Sequence, residues 1–267
     1  MNWSELGALL GVGWPVAAGV MGLLWLRQTR TADATSVDIA WSALLGVLAV
    51  LYAVLADGDV GRRVLIAVMV ASATWRLALH LYVDRARGGV EDGRYATLRK
   101  QWGASAQRNF FLFFQAQAAL DVLLSLPFAL ACLSDAPLGW LDGAGAALWI
   151  IGLVGEALAD RQLAAFKKLP TSRGKTCRVG LWRYSRHPNY FFQWCLWIAY
   201  ALLGLSAPFG VLGFAAPLLM LVLILFVTGI PPTEAQALRS RGDDYREYQR
   251  TTSAFVPWFP LDSQRTV

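Results

Sequence analysis

The apolar residues of this chain are grouped in long blocks, each close to the length that crosses a bilayer, with short charged segments between them. A hydrocarbon core about 30 Å thick takes roughly 20 apolar residues per helix. Seven stretches approach that length: residues 6–26, 39–56, 64–83, 110–133, 139–158, 189–205 and 209–228. With 56% hydrophobic and 16% charged residues distributed in this way, the pattern is not that of a water-soluble domain. It predicts an all-α polytopic membrane protein of about seven transmembrane helices. The first block has no basic lead and no small-residue cleavage site, so it reads as a span rather than a signal peptide. No internal repeat or linker stands out, and residues 1–267 read as a single membrane domain with two long loops, 84–109 and 159–188, and a long tail.

Lysine and arginine concentrate in alternate connections: Arg27 and Arg30, then Arg85 through Arg108, then Arg161 through Arg186, then the tail. By the positive-inside rule these segments are cytoplasmic and the N-terminus is outside. Arg62 and Arg63 break the alternation. Topology accounts for the net charge of +6, so nucleic acid is not an expected partner. Cys132, Cys177 and Cys195 form no C-x-x-C pair, and neither a disulfide framework nor a metal site is expected.

Ionisable groups at membrane depth are costly and call for a reason. Asp38 begins the second span in the run SVDIAW, either facing inward or capping the helix with Ser36. Arg76 and His80, four apart, share one face of the third span, where they point into the bundle or join an internal salt bridge. Asp121, with Gln115 and Gln117 nearby, suits interhelical hydrogen bonding. Glu156 and Asp160 put two acceptors on one face at the end of the fifth span, suited to ribose or adenine groups or to snorkelling.

The densest chemistry lies between Asp160 and Trp197. Lys167, Lys168, Arg173, Lys175, Arg178, Arg183 and Arg186 exceed what topology needs, and arginine matches phosphate bidentately, so a phosphate-bearing cofactor is the natural partner. His187 precedes Pro188, and Asn189 and Gln193 then present amides on one helix face. As a lone histidine, His187 could equally be packed. Neither a G-x-G-x-x-G turn nor a Walker motif occurs, so a nucleotide would be held without those folds. In the tail, Glu234, Leu238, Tyr245 and Tyr248 fall at helical spacings, predicting a short amphipathic helix on the membrane surface. Its Glu and Tyr side chains could close over a cofactor, while Trp258 and Phe259 fit an interfacial aromatic anchor.

These segments, SVDIAW, RARGGVEDGRY, RYSRHPNY and the stretch from Glu234 to Pro257, resemble the steroid 5-alpha-reductase-like membrane proteins. The likeness is to the bacterial branch long carried as a domain of unknown function. The RHP-x-Y element and the tail pattern are also similar to isoprenylcysteine carboxyl methyltransferases. The reductase resemblance implies an inner-membrane enzyme that binds NADPH among its cytoplasmic loops. It would reduce an activated carbon–carbon double bond in a lipophilic, steroid- or lipid-like enone, with membrane lipids around it. It implies Asp38 as the carboxyl that polarises the substrate carbonyl. The family tyrosine of the third helix has no counterpart, since Ala71, Ser72 and Ala73 stand there, and Tyr95, expected in a loop, is the substitute phenol. Arg76 matches a family arginine and is assigned to the cofactor. The cofactor residues it implies are Asp160, Asn189 and Gln193, the last usually Glu in that family. Lys167, Arg178, Arg186, His187, Glu234, Tyr245 and Tyr248 complete the expected NADPH site. The alternative is a membrane methyltransferase using S-adenosylmethionine, which has no phosphate to neutralise. A transporter or receptor would need no phosphate-binding loop.

Overall fold

The computed structural model describes residues 3–86 and 90–261. Arg87, Gly88 and Gly89 of the segment RARGGVEDGRY lie outside the described residues. The chain is all-α among those residues, in the order α1 (Trp3–Thr31), α2 (Ser36–Leu55), α3 (Val60–Leu81), α4 (Gly93–Trp102), α5 (Ala106–Leu124), α6 (Leu126–Cys132), α7 (Trp140–Lys167), α8 (Pro188–Gly204), α9 (Ala215–Val222), α10 (Ile230–Arg241) and α11 (Asp243–Thr251). Short 3₁₀ and π turns link several of them.

Six helical runs are long and apolar enough to cross a membrane: Trp3–Thr31, Ser36–Leu55, Val60–Asp84, Gly93–Cys132, Trp140–Lys167 and Gly210–Arg241. The sixth expected span, 189–205, corresponds to α8, which is shorter at 17 residues. Its start is fixed by Pro188, which lacks an amide hydrogen and suits the first helical position. The protein is therefore polytopic and membrane-embedded, with α8 at the lower limit of a spanning length.

Two expected loops are largely helical. Residues 93–102 of the 84–109 connection form α4, because Asp92 caps it by accepting the Arg94 amide at 2.9 Å, and Gly103, at φ 48°, ends it. Tyr95 therefore stands on a helix and not in a loop. The 159–188 connection begins inside α7, which carries Asp160 and runs on to Lys167. The tail holds two helices where one was expected, α10 and α11, broken at Gly242, whose φ of 55° is a left-handed conformation that favours glycine.

The described residues fall into two compact units. The first comprises Met1–Gly143 and Tyr200–Ala216. Its core gathers Ala17 and Met21 of α1, Val37 and Leu44 of α2, Tyr95 of α4, and Phe110, Phe114 and Ala118 of α5. α2 and α3 approach closely at Gly46, where an added Cβ would lie 2.7 Å from Thr74 Oγ1. Small residues at such crossings let two membrane helices share van der Waals contact. Gln115 donates to the Ala18 carbonyl at 3.3 Å, tying α5 to α1 as expected of a polar residue at that depth. Asp121 is fully buried, and its carboxylate oxygens have no hydrogen-bond partner among the described residues. The neighbouring Tyr52 and Ser125 hydroxyls pair with each other at 3.1 Å.

Arg62 and Arg63, which break the charge alternation in the sequence, have structural work. The Arg63 guanidinium donates to the carbonyls of Ala53 and Ala56 at the end of α2. Arg62 is 1% exposed and pairs with Asp142 at 2.8 Å. It also donates to the carbonyls of Leu203, Ala136 and Pro137. Both charges are engaged by bonds within the first unit.

The second unit comprises Ala144–Ala199 and Pro217–Val267. α7 and α8 are pressed together at Gly155, where a Cβ would fall 2.4 Å from the Phe192 ring. The segment after α11 folds back along the start of α8, with Phe255 packed on Phe191 and Trp194.

Candidate functional site

Each unit holds a polar cluster built from the residues that the sequence singles out. In the first unit the SVDIAW and VEDGRY segments meet. The turn before α2 is pinned to residues 91 and 92, because the Ala34 amide donates to Glu91 at 3.0 Å and the Asp92 amide to the Thr35 hydroxyl at 2.9 Å. Arg99 of α4 then holds Glu91 at 2.8 Å and Gln28 of α1 at 3.2 Å. On this frame, Asp38 in the first turn of α2 receives two donors: Tyr95 Oη to Oδ1 and an Arg94 nitrogen to Oδ2, each at 2.5 Å. Thr35, not Asp38, occupies the cap position of α2.

Asp38 thus accepts from a guanidinium and a phenol, which is the behaviour of a carboxylate, where the sequence reading made it the hydrogen-bond donor. Arg94 also holds Asp92 at 3.0 Å and lies over the Tyr95 ring, 5.3 Å from its centroid. Tyr95 is buried at 3% exposure while the Arg94 side chain is 52% exposed. The structure therefore brings together the two expected catalytic residues and adds Arg94, which sequence reasoning did not nominate although it lies in a segment that was singled out. Arg76 and His80 are half-buried on α3.

In the second unit, Glu234 of α10 is the hub. Its Oε1 accepts from Arg186 at 2.7 Å and lies 3.3 Å from both His187 Nε2 and Tyr245 Oη, and its Oε2 accepts from Gln249 at 2.7 Å. Burial alone would raise the Glu234 pKa. The hydrogen bonds from His187, Arg186 and Gln249 and the Arg186 charge outweigh it, holding the carboxyl down to about 2. The His187 pKa is lowered as well, since burial disfavours its cation more than Glu234 favours it. A carboxylate only accepts, so the neutral imidazole presents Nε2–H to Glu234. Its ring stacks on Tyr190 at 5.3 Å.

Arg186 is largely spent within this cluster. Besides Glu234 it donates to the carbonyls of Gln249 at 2.9 Å and Thr252 at 2.6 Å, and its amide donates to Ser253 at 2.8 Å. Arg178 bonds the Asp244 carbonyl at 2.7 Å and lies over the Tyr248 ring. Burial alone would raise the Asp244 pKa, but the hydrogen bonds from Thr176, whose amide donates at 2.7 Å, and the Arg178 and Lys175 charges together outweigh it and hold the carboxyl below the usual range. Tyr248 donates to the carbonyls of Trp182 and Ser185, fixing the turn before His187. Two of the arginines expected to meet phosphate, Arg178 and Arg186, thus hold α10, α11 and the RHP turn together.

The remaining cofactor candidates are differently placed. Lys167, Lys168, Arg173, Lys175 and Arg183 are exposed. Asp160 and Gln193 are half-buried. Asn189 is half-buried too, and its Oδ1 is buried without a hydrogen-bond partner among the described residues, so it has an acceptor still to be satisfied. Gln249 and Asp244 are further cluster members outside the expected set. The only hint of Gln249 in the sequence is its spacing, four residues after Tyr245. Among the described residues no group of His, Cys, Asp and Glu could hold a metal ion.

The family described as "Protein of unknown function (DUF1295)" matches residues 24–252. That range takes in both clusters. No curated protein and no solved structure shows significant similarity to the chain.

Proposed function

From the premise that the chain belongs to this family of unknown function, we propose that it is an NADPH-dependent reductase of an activated carbon–carbon double bond in a lipophilic enone. The observation that carries the reading is the Asp38–Tyr95–Arg94 constellation: a buried phenol bonded to a carboxylate that a guanidinium already neutralises. NADPH would supply hydride to the β carbon of the enone. The carbonyl oxygen then gains negative charge, and a donor placed there lowers the barrier. Rotation about its C–O bond lets Tyr95 turn its hydroxyl from Asp38 to that oxygen. Asp38 tolerates the loss because Arg94 still pairs with it. The donor role that the resemblance implies for a carboxyl thus passes to Tyr95.

The second unit supports the cofactor half of the reading. The exposed Lys167, Lys168, Arg173, Lys175 and Arg183 suit phosphates, Asn189 Oδ1 suits an amide or ribose hydroxyl, and Asp160 and Gln193 offer further polar contacts. Arg186, His187, Glu234, Tyr245 and Tyr248 hold the frame on which these groups stand. Transfer of a methyl group from S-adenosylmethionine needs neither a phenolic donor nor a basic exposed edge.

Titration of the purified protein with NADPH and, separately, S-adenosylmethionine tests the reading. Saturable NADPH binding weakened by Asn189→Ala, together with enone-dependent NADPH oxidation, is expected. Tight binding of S-adenosylmethionine with no response to NADPH would replace the reductase with the methyltransferase.

A further inference from the structure

The segment after α11, residues 252–261, adds no side chain to either cluster, yet its backbone is held within the second unit, first by the Arg186 side chain at the Thr252 carbonyl and then at four further places. Arg186 N donates to Ser253 O at 2.8 Å, Ser185 Oγ to Phe255 O at 2.8 Å, Trp258 N to Tyr184 O at 2.9 Å, and Leu261 N to Thr251 O at 2.8 Å. Phe255 turns inward onto Phe191 and Trp194, in the first two turns of α8. Its neighbours turn outward: Val256 is 51% exposed, Trp258 69%, Phe259 75% and Leu261 69%. Phe259 packs edge-on against Tyr184 at 6.0 Å. This is an apolar, aromatic ridge on a fixed backbone, running beside the end of α8 where its apolar sequence begins.

We propose that this strap is an interfacial anchor, seated in the headgroup region of the bilayer, and that the bilayer thereby helps to hold the Glu234 cluster together. The depth argument is local. Tyr184 lies just ahead of Pro188, the first residue of α8, and the strap bonds to Tyr184 and packs on Phe191, so it straddles the level at which an apolar helix enters the membrane. Tryptophan and tyrosine, each with an apolar ring and a polar group, gather at that level, where Trp258 and Tyr184 stand. Arg250, exposed and next in sequence to the Thr251 carbonyl that holds Leu261, suits a lipid phosphate. The coupling is equally direct. Arg186 binds the Thr252 carbonyl and, through its amide, Ser253, while its side chain holds Glu234, so a strap that lifts away removes donors' partners from that arginine.

The three cysteines of the chain are buried, so a cysteine introduced at the ridge can be labelled selectively. The full-length Phe259→Cys protein, carrying an environment-sensitive fluorophore, is reconstituted in phosphatidylcholine–phosphatidylglycerol vesicles. It is exposed to aqueous iodide and to lipids bearing a nitroxide near the carbonyl end or the methyl end of the acyl chain. Severalfold stronger quenching by the carbonyl-end nitroxide than by the other two is expected. Dominant quenching by iodide places the strap in water and overturns the proposal. Protection from all three means that protein, such as a second copy of this chain, covers it, and overturns it equally. For the coupling, Trp258→Asp/Phe259→Asp is expected to speed hydrogen exchange severalfold across 243–253 in vesicles, with α2 and α3 unchanged. Unchanged protection at 243–253 overturns the coupling.

Discussion

Two arginine–aspartate pairs in the first unit are close to identical as chemistry and opposite in setting. Arg62 and Asp142 are 1% and 5% exposed, and the guanidinium also serves the Leu203, Ala136 and Pro137 carbonyls. Arg94 and Asp38 are 52% and 19% exposed, and the carboxylate keeps a phenol whose hydrogen bond is exchangeable. The first pair is enclosed and both terminal nitrogens of its guanidinium are engaged, so its role is to hold α3 to the segments around it. The second combines charge with an open side and a labile donor, which is what a reacting site requires. An ion pair seen in a membrane protein is therefore read by what its atoms have left to do, and not by its presence.

The largest expected effect breaks the enclosed pair. Arg62→Ala leaves the buried Asp142 and several carbonyls without their donor, and removing one partner of a buried pair costs about 3–5 kcal/mol. Loss of folded protein, or a steep fall in the unfolding midpoint in mild detergent, is expected. A variant as stable as the parent would remove the distinction between the pairs. Next in size, Tyr95→Phe and Asp38→Asn act on the open pair. Each is expected to fold and to lose on the order of a hundredfold in turnover of a reducible enone, the usual scale for losing an acid–base group. A Tyr95→Phe enzyme that turns over at the parental rate would remove the phenol from the chemistry.

The sequence reveals much of the membrane architecture because the bilayer imposes a length and the chain must match it with uninterrupted apolar blocks. It does not reveal α4, whose sequence GRYATLRKQW has no apolar stripe and buries only Tyr95. Without that helix, Asp38 and Tyr95 are two separate nominations, and their contact across 57 positions has no signature. The role of Arg62 is hidden for a related reason: its partner Asp142 is 80 positions away. In the tail, the spacing of Glu234, Tyr245 and Tyr248 points to one short amphipathic helix, where the chain forms two, broken at Gly242. That Arg186 would be turned inward to bind carbonyls, rather than outward to phosphate, depends on the return of the strap, which only the folded chain displays.

The Glu234 hub offers a third and smaller effect, dependent on pH. A carboxyl held at about 2 in the folded state against 4.5 when free adds stability that is present above 4.5 and is lost as pH falls toward 2. His187, lowered from 6.5 by burial, acts earlier: the unfolded chain takes up its proton first, so stability begins to fall below 6.5. Unfolding midpoints of the parent should therefore drop in two stages on acidification. Glu234→Gln should be less stable than the parent by on the order of 2 kcal/mol near neutrality, with the gap closing as pH falls below 4.5. A gap that is constant with pH would mean that the hub is held by packing rather than charge.

The smallest expected effect sharpens the comparison most. Arg94 is half-exposed, so water screens its pairing with Asp38 and Asp92, and exposed ion pairs contribute about 0–1 kcal/mol to stability. Arg94→Gln removes the charge but keeps a polar side chain able to reach either carboxylate. Its unfolding midpoint should lie close to that of the parent, in contrast to Arg62→Ala. Turnover should respond more than stability does, because without the guanidinium Asp38 keeps a firmer hold on the Tyr95 hydroxyl that the substrate oxygen needs. Measured together, unfolding midpoints and turnover for Arg94→Gln, Asp38→Asn and the double variant give a cycle in which the coupling appears in turnover and is near zero in stability. If the coupling appeared in stability instead, Arg94 and Asp38 would be a second lock like Arg62 and Asp142.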